Sequence, residues 1–105
     1  MTRGSTTGRP IMVLLDLLGR RWTLRVLWEL RAGEPVSYAA LRDASDRMST
    51  SVLATRLREL TAAGLVERDA AGSYLLTRDG GRLLEHLGPL DEFARRWAGR
   101  RTTAR

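Results

Sequence analysis

Ser51, Thr55 and Arg58 follow one another at intervals of four and three residues, with Ala62 four residues further on. In a helix, where each residue turns the chain about 100°, that spacing gathers two hydroxyls and a guanidinium on one side. Thr50 and Val52 stand near the start of the same face. Small hydroxyls and an arginine reach donors and acceptors without steric bulk, so they suit base edges and phosphates in a major groove. An ordinary solvated helix face is the alternative reading of the same residues.

Other chemistry has no footing. The acidic pairs Asp91-Glu92 and Glu67/Asp69 lack a basic or nucleophilic partner at a sensible spacing, and Gly80-Gly81 lacks the preceding strand that a phosphate-cradling loop requires. There is no cysteine, which excludes disulfides, thiolate metal ligands and thiol redox sensing within this chain, and the single His86 cannot build a metal site. No metal, cofactor or catalytic residue is therefore expected, and the chain reads as a non-enzyme. At 105 residues it fits one domain. Its 18 basic residues, all arginine, exceed 12 acidic ones for a net charge of +6, which points to an anionic partner, nucleic acid ahead of an acidic protein or a membrane surface. The longest apolar run, Ile11 to Leu18, is broken by Asp16 and is too short for the ~20 residues of a membrane span. No hydrophobic signal core precedes it, so a cytoplasmic protein is expected.

The elements that must position the hydroxyl face can be read in order. Residues 1–9 are expected to be a disordered tail, residues 10–99 one domain, and residues 100–105 a disordered arginine-rich tail. Pro10 suits a first helical turn, and Ile11, Leu14, Leu15, Leu17 and Leu18 make a helix that is apolar around most of its girth. Such a helix wants partners on more than one side, and a second copy of the chain is the expected one. A second helix is predicted from about Trp22 to Ala32, then Gly33-Glu34-Pro35 stops it. Val36 and Ser37 read as extended, one short edge strand, and Ser37 can cap a two-turn helix from Tyr38 to about Ala44. Ser45, Asp46 and Arg47 connect it to a helix capped by Ser49, in which Leu53, Leu57, Leu60 and Leu65 recur as the apolar stripe and Gly64 offers the left-handed residue that ends the helix. Two helices joined by a few polar residues are a helix-turn-helix by spacing. Leu65 to Arg68 and Ser73 to Leu76 then read as strands around the turn Asp69 to Gly72. Thr77 caps a last helix carrying Leu83, Leu84, Leu87, Leu90, Phe93 and Trp97, which Gly88-Pro89 is expected to bend or break. The predicted fold is mainly α with a small β-hairpin: a winged helix-turn-helix with N- and C-terminal dimerisation helices.

Several further residues are candidates for DNA contact. Arg56 lies near the edge of the apolar stripe, and phosphate contact or pairing with Glu59 or Glu67 fits it equally. Arg68 is at the root of the hairpin and Ser73 on its return, where a phosphate would pass. Ser37 and Tyr38 open the helix-turn-helix, where helix amides can face a phosphate. Arg20, Arg21, Arg42 and Arg47 read as surface arginines.

The ordered set Gly19-x-x-Trp22-Thr23-Leu24 with Leu27 and Leu30, Tyr38-x-x-Leu41, Met48-Ser49-x-x-x-Leu53-x-x-Arg56-Leu57-x-x-Leu60-x-x-x-Gly64-Leu65-Val66-x-Arg68, and Tyr74-x-Leu76-Thr77-x-x-Gly80-x-x-Leu83 resembles the HxlR family of MarR-like bacterial regulators. The resemblance covers about residues 9 to 97. It implies a dimeric winged-helix repressor or activator on an operator with two half-sites. Members often carry a Cys-Pro pair where this chain has Arg9-Pro10, so the cysteine sensing that the family uses is not available here. The turn from Asp69 to Gly72 is shorter than the family's usual wing, and Phe93 stands where a tryptophan is usual, with Trp97 one turn on.

The reading is thus a homodimer on double-stranded DNA, with Thr50, Ser51, Thr55 and Arg58 reading bases. Ile11, Leu14, Leu15, Leu18, Leu87, Leu90, Phe93 and Trp97 are expected to pack between the two copies. Trp22, Trp28 and Trp97 fit core positions first; an unidentified small-molecule effector, where one binds, is expected near Met12, Trp28, Phe93 and Trp97. The rivals are a winged helix used for protein contacts, marked by an acidic or apolar outer helix face, and a DNA-binding regulator of a PadR-like or ArsR-like family.

Overall fold

The computed structural model describes residues 8–45 and 48–103. Five helices and one hairpin follow in the order α1 (Pro10–Leu18), α2 (Thr23–Glu29), α3 (Tyr38–Ala44), α4 (Thr50–Ala62), β1 (Val66–Arg68), β2 (Tyr74–Leu76) and α5 (Arg78–Thr103). This is the winged-helix arrangement expected from the sequence.

Local chemistry sets the boundaries. Pro10, with its fixed φ, opens α1 after an extended Arg9. Ser37 and Ser49 cap α3 and α4, their hydroxyls accepting from the Ala40 and Val52 amides at 3.0 and 3.2 Å. At the far end of α4 the amide of Leu65 donates to the Leu60 carbonyl and that of Gly64 to Thr61, each at 3.0 Å. This pairing needs a left-handed residue, and Gly64 supplies it with φ +79°. In the hairpin, β1 and β2 are antiparallel with Val66 opposite Leu76 and Arg68 opposite Tyr74. The Asp69 carboxylate closes the turn by accepting from the Ala71 and Ser73 amides at 3.0 and 2.9 Å.

The core lies where α2, α3, α4 and the hairpin meet. Val26, Leu27, Leu30, Leu41, Leu53, Leu57, Leu60 and Val66 are at most 1% exposed, and each such leucine contributes on the order of 1.5–3 kcal/mol of burial. The stripe expected of Leu53, Leu57, Leu60 and Leu65 is this buried face. By contrast, Leu17 is the one buried residue of α1.

Four expectations are corrected. First, α2 runs from Thr23 to Glu29 rather than from Trp22 to Ala32, because Trp22 adopts a left-handed φ of 76° and Gly33, at φ +83°, ends a series of turns after Leu30. Second, Val36 is no strand but a single bridge, exchanging both backbone hydrogen bonds with Tyr74 at 2.8 Å. Third, of the bend or break expected at Gly88-Pro89, the break does not occur and α5 continues; Glu85, Gly88 and Pro89 are all exposed, so the carbonyl that proline leaves without its partner can turn to water. Fourth, residues 100–103 extend α5 instead of unfolding, each added residue continuing an established helix at little cost. Arg9 and Gly8 of the expected N-terminal tail precede α1 as exposed coil, while residues 1–7, 46, 47, 104 and 105 lie outside the described residues.

Candidate nucleic-acid interface

Helix α4 carries the hydroxyl-and-guanidinium face on its outer side. Thr50, Ser51 and Arg58 are exposed and Thr55 half-buried, opposite the buried leucines. Among the described residues none covers Thr50, Ser51 or Arg58. Arg58 Nη2 donates to the Thr55 hydroxyl at 3.1 Å, and that hydroxyl donates to the Ser51 carbonyl at 2.9 Å. Ser51 Oγ in turn lies 3.3 Å from Ser49 Oγ. The relay restricts the Arg58 side chain in advance, which would lower the entropy lost on binding any anionic or polar partner.

The other candidates divide. Tyr38, half-buried, donates its phenol to the Thr50 carbonyl at 3.0 Å, so it braces the first turn of α4 against α3. Sequence spacing gave no sign of this bridge. Ser37 is exposed but uses its hydroxyl as a cap. Arg68 folds back on its own hairpin: Nε and Nη2 both reach the Gly72 carbonyl at 3.3 Å, with the guanidinium 5.0 Å from the centre of the Tyr74 ring. It still lines a groove of about 480 Å³ between α4 and the hairpin, with Leu57, Arg58, Thr61, Ala62 and Tyr74. Ser73, half-buried, closes the turn through its backbone.

For Arg56 the sequence left two readings open, and the geometry supplies the pairing. Its Nη1 meets Glu59 Oε1 at 2.6 Å, and Arg20 Nη1 meets Glu59 Oε2 at 3.1 Å. Burial by itself raises the Glu59 carboxyl, but the hydrogen bonds and charges of Arg56 and Arg20 outweigh it and hold the group below its ordinary range. The Arg56 side chain is 18% exposed and its Nε is buried with no hydrogen-bond partner among the described residues. Arg20, read from sequence as an ordinary surface arginine, is thus the link from the α1–α2 turn to α4.

The apolar surface lies on the opposite elements. Ile11, Leu15, Leu90, Phe93 and Trp97 are between 47 and 58% exposed, while Leu14, Leu18 and Leu87 are half-buried and Leu18 packs on the core. Leu24 on α2 is 46% exposed. Of the three tryptophans, Trp22 packs against the core and Trp28 is half-buried, but Trp97 lies outside it, on a stretch of α5, residues 92–101, that is exposed throughout. A groove of about 380 Å³ between α2 and α5 is lined by Leu24, Arg25, Trp28, Leu87, Leu90, Asp91 and Ala94. Trp28 is in it, whereas Met12, Phe93 and Trp97 do not line it and stay exposed. His86 is exposed. Among the described residues no cluster of His, Cys, Asp or Glu could hold a metal, and no helix is long and apolar enough to cross a membrane.

Comparison with known proteins agrees with this geometry. The family model described as HxlR-like helix-turn-helix matches residues 17–102. YvaP, an HTH-type transcriptional regulator of Bacillus subtilis, is 30% identical over 89 residues, spanning 79% of this chain and 82% of its own length. Among solved structures, quinone-bound YodB from B. subtilis superposes with a TM-score of 0.76 at 28% identity, covering 82% of this chain and 96% of that one. An HxlR-family factor from Thermoplasma volcanium gives a TM-score of 0.74 at 27% identity, covering 86% and 85%.

Proposed function

The chain belongs to the HxlR-like helix-turn-helix family of transcriptional regulators, and we propose that it acts as a homodimer on an operator with two half-sites, as a repressor by default. Membership sets aside the PadR-like and ArsR-like alternatives. The observation that carries the reading is the exposed Ser51–Thr55–Arg58 relay on α4, a face with hydroxyls and a single guanidinium and no acid. A winged helix used for protein contacts would favour an acidic or apolar face at that position. Roughly half-exposed Ile11, Leu15, Leu90, Phe93 and Trp97 on α1 and α5 support the dimer, since large apolar side chains left exposed favour burial against a partner. Paired through that surface, two copies of α4 would enter successive major grooves about 34 Å apart. Bound over a promoter, such a dimer blocks polymerase.

YodB is seen with quinone bound, but this chain has no cysteine, so its own signal does not pass through a thiol. We assign a small-molecule effector to the α2–α5 groove, whose apolar lining around Trp28 is of the size and character small ligands use. Selection of bound duplexes from a random pool with the purified protein tests the function. A two-fold symmetric sequence with half-sites one helical turn apart is expected; no enrichment, or a protein that is monomeric at working concentration, overturns it.

A further inference from the structure

The connection between α1 and α2 brings an arginine to the front of α4. Trp22 holds a left-handed backbone, unusual for a bulky residue, and its ring lies 5.3 Å below the Arg21 guanidinium. A groove of about 370 Å³ opens there, lined by Arg21, Trp22, Ser49, Val52 and Arg56. Ser49 is both a wall of this groove and the cap of α4, and its hydroxyl adjoins that of Ser51. The groove is therefore continuous with the face already assigned to DNA.

Its charge is unbalanced. Arg20 and Arg56 share one carboxylate, that of Glu59, and Arg21 makes no ion pair among the described residues. Among the described residues the groove's lining therefore carries two guanidiniums, those of Arg21 and Arg56, and no acid. Stacking on an indole fixes the plane of a guanidinium while leaving its edge N–H groups to donate, which suits the tetrahedral oxygens of a phosphate. We infer that the groove between Arg21, Ser49 and Arg56 seats a backbone phosphate of the duplex beside the first turn of α4, with Arg21 as the principal donor. The inference rests on the DNA-binding reading above and adds to it a contact from outside the helix-turn-helix. A phosphate held there fixes the register of α4 on the duplex without reading sequence.

The test compares the parent protein with Arg21→Ala and Arg21→Lys on two labelled duplexes of equal length, one recovered by random-pool selection and one scrambled, across a salt titration. Arg21→Ala is expected to weaken binding to both duplexes by a similar factor and to lower the slope of log affinity against log salt by about 1. Arg21→Lys, which keeps the charge, is expected to retain the slope. Arg21 is exposed, so thermal denaturation of both variants should match the parent. Unchanged affinity and slope in Arg21→Ala overturn the inference while leaving the parent's DNA binding intact. A loss confined to the selected duplex also overturns it, because that would make Arg21 a base reader. A parent that binds neither duplex overturns the function and this site together.

Discussion

The hydroxyl of Thr55 accepts from Arg58 at 3.1 Å while donating to the Ser51 carbonyl one turn earlier, so the orientation of the guanidinium on α4 depends on a neighbouring threonine. Arg58→Ala is expected to weaken binding to the selected operator by ~1–3 kcal/mol. Thr55→Val keeps the shape of the side chain but removes the relay, and is expected to reduce the preference for operator over scrambled DNA with helicity unchanged. Gel-shift titrations of both variants check this; operator affinities equal to the parent's would remove the pair from the site.

Glu59 ties α4 to the α1–α2 turn through Arg20 and to its own helix through Arg56. Its folded-state carboxyl is held below the ordinary range, so the unfolded chain binds the proton more readily. The stabilisation is therefore full above the unfolded value of about 4.3 and is lost as pH falls through the lower folded value. Glu59→Gln should cost about 1 kcal/mol at pH 7, a modest figure because the carboxylate is about a quarter exposed to solvent. Urea denaturation at pH 7 and pH 3 should show the gap between parent and variant closing at the acidic value. A gap that persists there would place the effect outside the ion pairs.

A Cβ on Gly80 would run into the Leu65 carbonyl and come within 3.2 Å of Leu76 Cδ2. The start of α5 is pinned there, since the Thr77 hydroxyl accepts from the Gly80 amide at 3.0 Å and donates to the Gly64 carbonyl at 2.5 Å. Gly80→Ala is expected to destabilise by about 1–3 kcal/mol, although alanine is the better helix former, because backbone must move to admit it. Gly81, with open space around it, serves as the control, and Gly81→Ala should be neutral or stabilising in the same thermal melts.

Leu90 is 58% exposed on α5, at a wall of the α2–α5 groove. A charge at that position would be solvated in a monomer and buried in a dimer formed through this face. Leu90→Glu should therefore leave the melting of the isolated fold unchanged and shift sedimentation toward the monomer, with operator binding falling in parallel. An unchanged sedimentation profile would take this face out of the interface.

Periodicity and capping residues were enough to lay out the winged helix, because each signal is local. Ser37 and Ser49 cap within their own turn, Gly64 meets a backbone requirement of its own, and the leucines of α4 need only the helical repeat to share a face. The ordered motifs carried the family in the same way. What the sequence could not settle involves residues distant along the chain or competing local tendencies. Arg56 had two plausible partners by spacing until Arg20, 39 positions from Glu59, met the same carboxylate. Tyr38 became a brace for Thr50 only once α3 and α4 were packed, and Arg21 reached the front of α4 only through a left-handed tryptophan. Gly88-Pro89 was expected to bend or break a helix that in fact runs on unbroken, since the proline rule yields where the freed carbonyl faces water. The composition and repeats of this chain thus determined which helices form and which faces are apolar, while tertiary packing alone decided which arginines share the Glu59 carboxylate, because that pairing joins residues far apart in the chain.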